Sequence, residues 1–454
     1  MRLRLLAAVT VLPLLAVVLA PAEAKRRTAV AAPAFASYAA PAGVGESAGE
    51  PSIGVDPSGT VFFQALLETL KVTGLDTGSP VWQDVAPLHT QLQTQDPVLE
   101  TDEVTGRTWV SQLDLACSRV AYSDDSGTTW TPSAIGCAPG ALFDHQSIGS
   151  GPWVPGTPLA GVATYPRAVY YCAHDGFDSK CGTSVDGGAT FLPARVTHTG
   201  DVCASNSGQV QAAPDGTVYL PPTYCGVDFG PVQVPTHAGV VVSEDNGLSW
   251  HVRPVPGSTV GSAGHPSLDV ASDGTVYYGW GGRGGDYWGP PYAAVTRDRG
   301  VTWSPPVRLG AEHGIQNTRF VTTVAGDGDR AAVAYLGSTT PGVADDAAFA
   351  GEWHVYVSYT YDRGATWSTV NATPGQPVQV GAVCLLGSVS CAAGTRNLYD
   401  FQDAVIDAQG RVLVAVADGC PGATCTSTAP RAQKATIVRQ ETGRGLLAAY
   451  DGTF

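Results

Sequence analysis

Ser243-Glu244-Asp245-Asn246-Gly247-Leu248-Ser249-Trp250 is one of five copies of a single phrase in this chain. The others are SDDSGTTW at Ser123 to Trp130, SVDGGATF at Ser184 to Phe191, TRDRGVTW at Thr296 to Trp303 and TYDRGATW at Thr360 to Trp367, at intervals of 53 to 64 residues. A phrase returning at such intervals marks an array of similar supersecondary units. Within it the Asp (Asp125, Asp186, Asp245, Asp298, Asp362) can bond to backbone two residues on, and the Gly supplies a positive φ for a tight turn. The hydroxyl residue ties the turn to the strand that leaves it, and the closing aromatic can pack between neighbouring sheets. Such a turn joins two antiparallel strands. These five Asp residues are therefore structural.

A second phrase lies between the copies: GEPSIGVDPSGTVFFQ at Gly49 to Gln64, SGQVQAAPDGTVYL at Ser207 to Leu220 and GHPSLDVASDGTVYYGW at Gly264 to Trp280. Looser versions begin at Asp96, His145, Thr318 and Phe401. Each reads as a strand, a turn with Asp or Ser and Gly, and a second strand rich in Val and Tyr. Seven such hairpins result. Each is followed by a copy of the octapeptide if two decayed copies are admitted, LDTGSPVW around Asp76 and Gly78 and RQETGRG around Glu441 and Gly443. Seven four-stranded units set radially predict an all-β propeller, which leaves few strand edges open. Six blades with an extra hairpin is the alternative count.

The first 24 residues carry Arg2 and Arg4, an apolar run from Leu5 to Ala20, and Ala22-Glu23-Ala24. That is the pattern of a signal peptide cleaved on export. Residues 25–48, rich in Ala and Pro, are expected to be a flexible lead-in with room for an edge strand. The propeller should then occupy 49–454. No later stretch is apolar for long enough to span a bilayer. The formal charge is -15 at pH 7, which argues against nucleic acid or anionic membranes as partners. A secreted monomer without cofactor is expected.

Ten cysteines, an even number, suit an oxidising compartment. Cys117 with Cys137 and Cys203 with Cys225 are symmetric about turns and can bridge hairpin strands. Cys172 with Cys181, Cys384 with Cys391 and Cys420 with Cys425 can close local loops. Metal ligation by cysteine is a poorer reading, because no CxxC pair or His-Cys cluster occurs.

The octapeptide is the Asp-box, and with it the chain resembles the sialidase superfamily of bacterial neuraminidase repeat propellers over about residues 49 to 450. The resemblance implies the propeller fold and a glycoside hydrolase chemistry in which a tyrosine, activated by a glutamate, replaces the usual carboxylate nucleophile. It also implies arginines that clamp a sugar carboxylate and an aspartic acid/base. The chain departs from that pattern at several points. No F/Y-R-I-P motif occurs, and Glu50 stands where an arginine strand is wanted. Phe401 falls where the tyrosine should be, with Tyr399 two residues earlier. Arg319 and Arg396 are the best carboxylate binders, and a third arginine is not identifiable.

Chain direction flips at every hairpin, so the openings of the inner strands should face away from the Asp-boxes. Residues at those openings are Glu50, Asp96, His145, Asn206, His265, Arg319 and Asp400, a ring too polar for a packed layer. Such groups suit acid/base chemistry or a polar ligand. A calcium held by Glu50, Asp96 and Asp400 would lack a contiguous ligand loop. The loops 281–290 and 338–353 should open on the same face and bring Arg283, Tyr287, Trp288 and Trp353, types that suit sugar faces.

Two functions follow. The first is a secreted propeller that binds a glycan or an extracellular protein at this mouth. The second is an exo-α-sialidase-type hydrolase with Tyr399 as nucleophile, Glu50 as supporting base and Asp400 or Asp96 as acid.

Overall fold

The computed structural model describes residues 31–88, 95–114, 117–134, 144–226, 228–229, 232–233, 236–260, 264–284, 287–387, 389–422, 425–426 and 431–454. The signal sequence expected at 1–24 lies outside them. Seven antiparallel sheets are arranged around one channel, so seven blades is the right count. Their innermost strands are Ser52–Val55, Gln95–Thr101, Asp144–Pro152, Gln211–Ala212, Ser267–Val270, Asn317–Ala325 and Asp403–Ile406. In the first six blades three further strands follow outward in chain order. No described helix is long and apolar enough to cross a membrane.

The seventh blade closes differently. Its fourth strand is Ala34–Ala39, which pairs antiparallel with Lys434–Thr442. Part of the expected lead-in is thus the outer edge of the last blade. The reading of RQETGRG as a hairpin turn is corrected by the same fact. After Thr442 the chain turns into Ala448–Tyr450 instead of returning as a strand, because the outer place is already taken by the N-terminal segment. Joining the two ends of the chain in one sheet closes the ring and removes an open edge.

Middle strands are packed by neighbouring blades on both faces and are correspondingly continuous in burial. Val61–Ala65 and Ala331–Ser338 are buried at every residue. The apolar core therefore lies between blades. Phe320, Val355 and Val357 of the sixth blade pack with Val412, Val414 and Val438 of the seventh, and Leu413 and Ile437 pack with Ile53, Phe63 and Val72 of the first.

All five Asp-boxes share one hydrogen-bond set. In the box at Ser243 the Ser hydroxyl donates to Asp245 at 2.9 Å and accepts from the Gly247 N–H at 2.8 Å, while Asp245 accepts from the Ser249 N–H at 2.8 Å and from its hydroxyl. The Asp bond thus reaches four residues on, where two were expected. Both central turn residues have positive φ, 60° at Asn246 and 82° at Gly247, the signature of a type I′ hairpin. Each closing aromatic sits between its own blade and the preceding one: Trp250 against Tyr170 and Val218, Trp303 against Val240 and Tyr278.

Each box also docks on the first turn of the preceding blade. Ser126 donates to Asp56, Arg107 to the Gly187 carbonyl, and the Val154 N–H to Asn246. Arg299 then pairs with Asp215 and Arg363 with Asp273. Arg330 donates to the Gly445 carbonyl, and Arg411 pairs with Asp76 in the decayed first box. The seven contacts form a complete circle on one face.

Four disulfides match the expected pairs: Cys172–Cys181, Cys203–Cys225, Cys384–Cys391 and Cys420–Cys425. Cys172 and Cys181 prove to be directly opposed on adjacent strands of the third blade. Cys137 and the side chain of Cys117 lie outside the described residues, and with them the expected Cys117–Cys137 pair.

Candidate functional site

Backbone at the strand openings is the first unusual feature of the face opposite the Asp-boxes. Glu50, Asp96, His145 and Tyr399 have φ of 55°, 50°, 49° and 60°. For residues with a Cβ this region costs roughly 1–2 kcal/mol each, and strain of this kind persists where the surroundings over-determine it. Pro51 and Pro97 follow two of these residues and turn the chain into its inner strand.

Around these openings the structure gathers residues from five blades. Glu50, 1% exposed, accepts the Asp96 N–H at 3.0 Å. Burial, with the charges of Asp96 and Asp400, pushes its carboxyl well above the usual range. Asp96 is likewise pushed well up, by burial and by the carboxylate of Asp144 beside it. Asp144 itself lies below the usual range: burial opposes this, but bonds from His174 and Asp96 and the nearby His145 prevail. His174 Nε2 stands 3.2 Å from the Asp144 carboxylate. The His145 and His265 rings are 4.1 Å apart, and burial lowers both imidazoles, His265 further because His145 faces it.

Arg396 grips Asp400 through both Nη atoms, one bond to each carboxylate oxygen. Its guanidinium lies 5.8 Å from the centre of the Tyr399 ring. That ring rests on Gly49, where an added Cβ would meet Cδ2 at 2.1 Å. Only glycine admits the tyrosine there. Phe401, not Tyr399, lines the channel.

Other expected members go elsewhere. Arg319 is 1% exposed and enclosed: it donates to Asp345 at 3.0 Å and to the Val383 and Thr318 carbonyls. Burial pushes it down to about 10. It holds the 338–353 loop onto its blade, so its expected place as a ligand arginine is corrected. The same loop folds inward, and Trp353 is fully buried with Nε1 bonded to the Gly381 carbonyl. A large aromatic gains more from the core than from the rim, and Trp353 is corrected from binding residue to core residue. Asn206 is linked to the cluster through Thr223, whose hydroxyl contacts the Asn206 carbonyl at 3.0 Å and His265 at 3.4 Å.

The 281–290 loop is the tip of a long hairpin, Val276–Gly284 with Tyr287–Thr296, on which Arg283 is exposed and opposes Trp288. The side chains of Tyr287 and Trp288 lie outside the described residues.

Sequence reasoning missed Asp144, His174, Gln146 and Gln402. Asp144 stands beside His145, and antiparallel pairing puts His174 directly across from it. Counting that register along the hairpin would have found both.

Below the cluster runs a channel of about 860 Å³ lined by inner-strand residues of all seven blades. Its wall carries Glu100, Asp269 and Asp403, all raised by burial, Asp269 to about 7 and Asp403 to about 6. The two aspartates bond inner strands together: Asp269 accepts the Ala325 N–H at 2.7 Å, and Asp403 accepts Ser52 and the Ile53 N–H.

No protein-family model matches the chain, and no curated protein sequence matches it. Among solved structures it is similar to a streptogramin B lyase at 10% identity, over 90% of this chain and 98% of that one, with a TM-score of 0.48. It is similar to the Hadza microbial sialidase Hz136 at 15% identity, over 84% and 73% of the two chains, TM-score 0.41. A mutant of the Aleuria aurantia lectin, in complex with alpha-methyl-L-fucoside, shares 11% identity over 74% and 95% of the two chains, TM-score 0.42. These neighbours are β-propellers.

Proposed function

We propose that the chain is an exported propeller that binds a neutral, hydroxyl-rich ligand of the glycan class at the channel mouth, without sialidase chemistry. The disposition of the arginines carries this reading. Arg319 is closed off by Asp345, and Arg396 is held on both arms by Asp400. A sugar carboxylate would find carboxylates and imidazoles at the mouth in place of a guanidinium clamp. Hydroxyl groups would find donors and acceptors on Glu50, Asp96, His145, His265, Asp400 and Tyr399. By blade topology the hairpin bearing Arg283, Tyr287 and Trp288 rises at the same end, where aromatic faces suit pyranose rings.

Export rests on the leader pattern and on four disulfides, which persist in oxidising compartments.

A glycan array together with a fluorogenic sialoside tests the proposal. The expected result is binding to uncharged glycans, reduced at least tenfold by Trp288→Ala, and no sialoside turnover. Sialoside turnover that Tyr399→Phe abolishes would sink it and reinstate the hydrolase reading.

A further inference from the structure

We infer that the mouth holds a divalent transition-metal ion of the zinc–manganese class, ligated by Asp96, His145 and Asp400. These residues come from the openings of the second, third and seventh blades. One ligand atom of each lies within 4.8 Å of the others. Ligands bonded at about 2.0–2.2 Å to a common ion stand about 3–4 Å apart, so small side-chain rotations close the set.

Carboxyl groups gather at this point: Glu50 accepts the Asp96 N–H, Asp144 stands against His174, and Arg396 holds Asp400. The histidine beside them, His145, adds a nitrogen donor.

A second, independent feature points the same way. Gln146 is 2% exposed, and its Nε2 donates to the Asp96 carbonyl. Its Oε1 is therefore held beside Asp96, and that oxygen is buried with no donor. Gln402, 6% exposed and two residues after Asp400, has neither Oε1 nor Nε2 bonded. Both glutamines line the channel together with His145. Buried amide oxygens without donors are rare, and each calls for a ligand, a water or an ion. Here one belongs to the residue after His145 and the other to the second residue after Asp400.

The donor set selects the metal. Calcium takes six to eight oxygen ligands and magnesium is bound mostly by carboxylates and water. One imidazole with two carboxylates suits zinc or manganese, leaving open positions toward the channel. Arg396 would orient the Asp400 carboxylate from behind, as outer groups do at metal sites.

This inference stands apart from the glycan reading, because it is tested without any glycan. Full-length protein, stripped with a chelator, would be titrated calorimetrically with Zn²⁺, Mn²⁺ and Ca²⁺ alone. The expected result is one Zn²⁺ or Mn²⁺ per chain, bound at least 100-fold more tightly than Ca²⁺. The variants Asp96→Asn and His145→Ala should each weaken that binding at least 100-fold. Cobalt substituted into the unmutated protein should show visible bands shifted from those of the aqua ion by a nitrogen ligand, a readout that needs no variant to fold. No transition-metal binding, binding indifferent to both substitutions, or a preference for Ca²⁺ would overturn the inference.

Discussion

The two faces of this propeller are built on opposite terms. On the Asp-box face a single hydrogen-bond set recurs in every intact box, and each acceptor finds its donor within four residues. At Asp298 the Thr302 hydroxyl and amide hold the carboxylate below the usual range, so its charge is satisfied locally. On the channel-mouth face no comparable hydrogen-bond set recurs from blade to blade. Glu50, Asp96, His145 and Tyr399 sit on left-handed backbone, as Ser126, Asn246, Arg299 and Arg363 do in the box turns, but only at the mouth do buried acids also face one another. The difference teaches where stability and function divide: the repeated face holds the blades in place, and the unrepeated one accepts the frustration that a ligand or ion can relieve.

The comparison breaks most readily at Arg319, which lies toward the mouth yet is structural. Arg319→Ala should cost about 3–5 kcal/mol in chemical denaturation, because the buried Asp345 carboxylate loses its cationic partner and keeps the Leu385 N–H. Glycan binding by the folded fraction should be unchanged. If binding vanished while stability held, the binding mouth would extend to Arg319.

A pH effect of similar size separates the channel wall from the boxes. The Asp269 carboxyl rises from 3.8 to about 7 on folding, through burial. The folded state keeps its proton over this window while the unfolded state has lost it, so stability is greatest below about pH 4 for this group and falls as pH rises towards 7. Three pKa units correspond to about 4 kcal/mol. Asp269→Asn should lower stability at pH 4, by losing one backbone hydrogen bond, and should flatten the decline between pH 4 and 7. Thermal unfolding at stepped pH is the measurement, and an unchanged slope would remove Asp269 from the account.

Asp245→Ala tests the repeated face. Loss of the bonds from Ser243 and Ser249 should cost about 2 kcal/mol, and binding at the mouth should not change. Glu50→Gln is the converse and should have the smallest effect on stability, because the amide oxygen can still accept the Asp96 N–H. Ligand binding should drop at least tenfold. A Glu50→Gln protein that unfolds readily and binds normally would reverse the roles of the faces.

Much of the architecture was legible because its signals are local. The box turns, the seven hairpins and four disulfide pairs depend on residues close together in the chain. The mouth was legible only in outline: Glu50, Asp96, His145, His265 and Asp400 were placed near the channel opening by register alone. Arg319 and Trp353 were misplaced because nothing local says that the 338–353 loop folds inward and takes Asp345 to meet the arginine. Asp144 and His174 were missed although they are direct cross-strand partners.

The sequence by itself determined the all-β repeat and the blade register, since turn chemistry and strand alternation act over a few residues. Tertiary structure alone decided that Ala34–Ala39 closes the seventh blade, that each candidate arginine is taken by its own aspartate, and that three blades meet at Asp96, His145 and Asp400. Those outcomes depend on the angle at which the ring closes and on which buried charges find partners. Both are settled between residues tens to hundreds of positions apart.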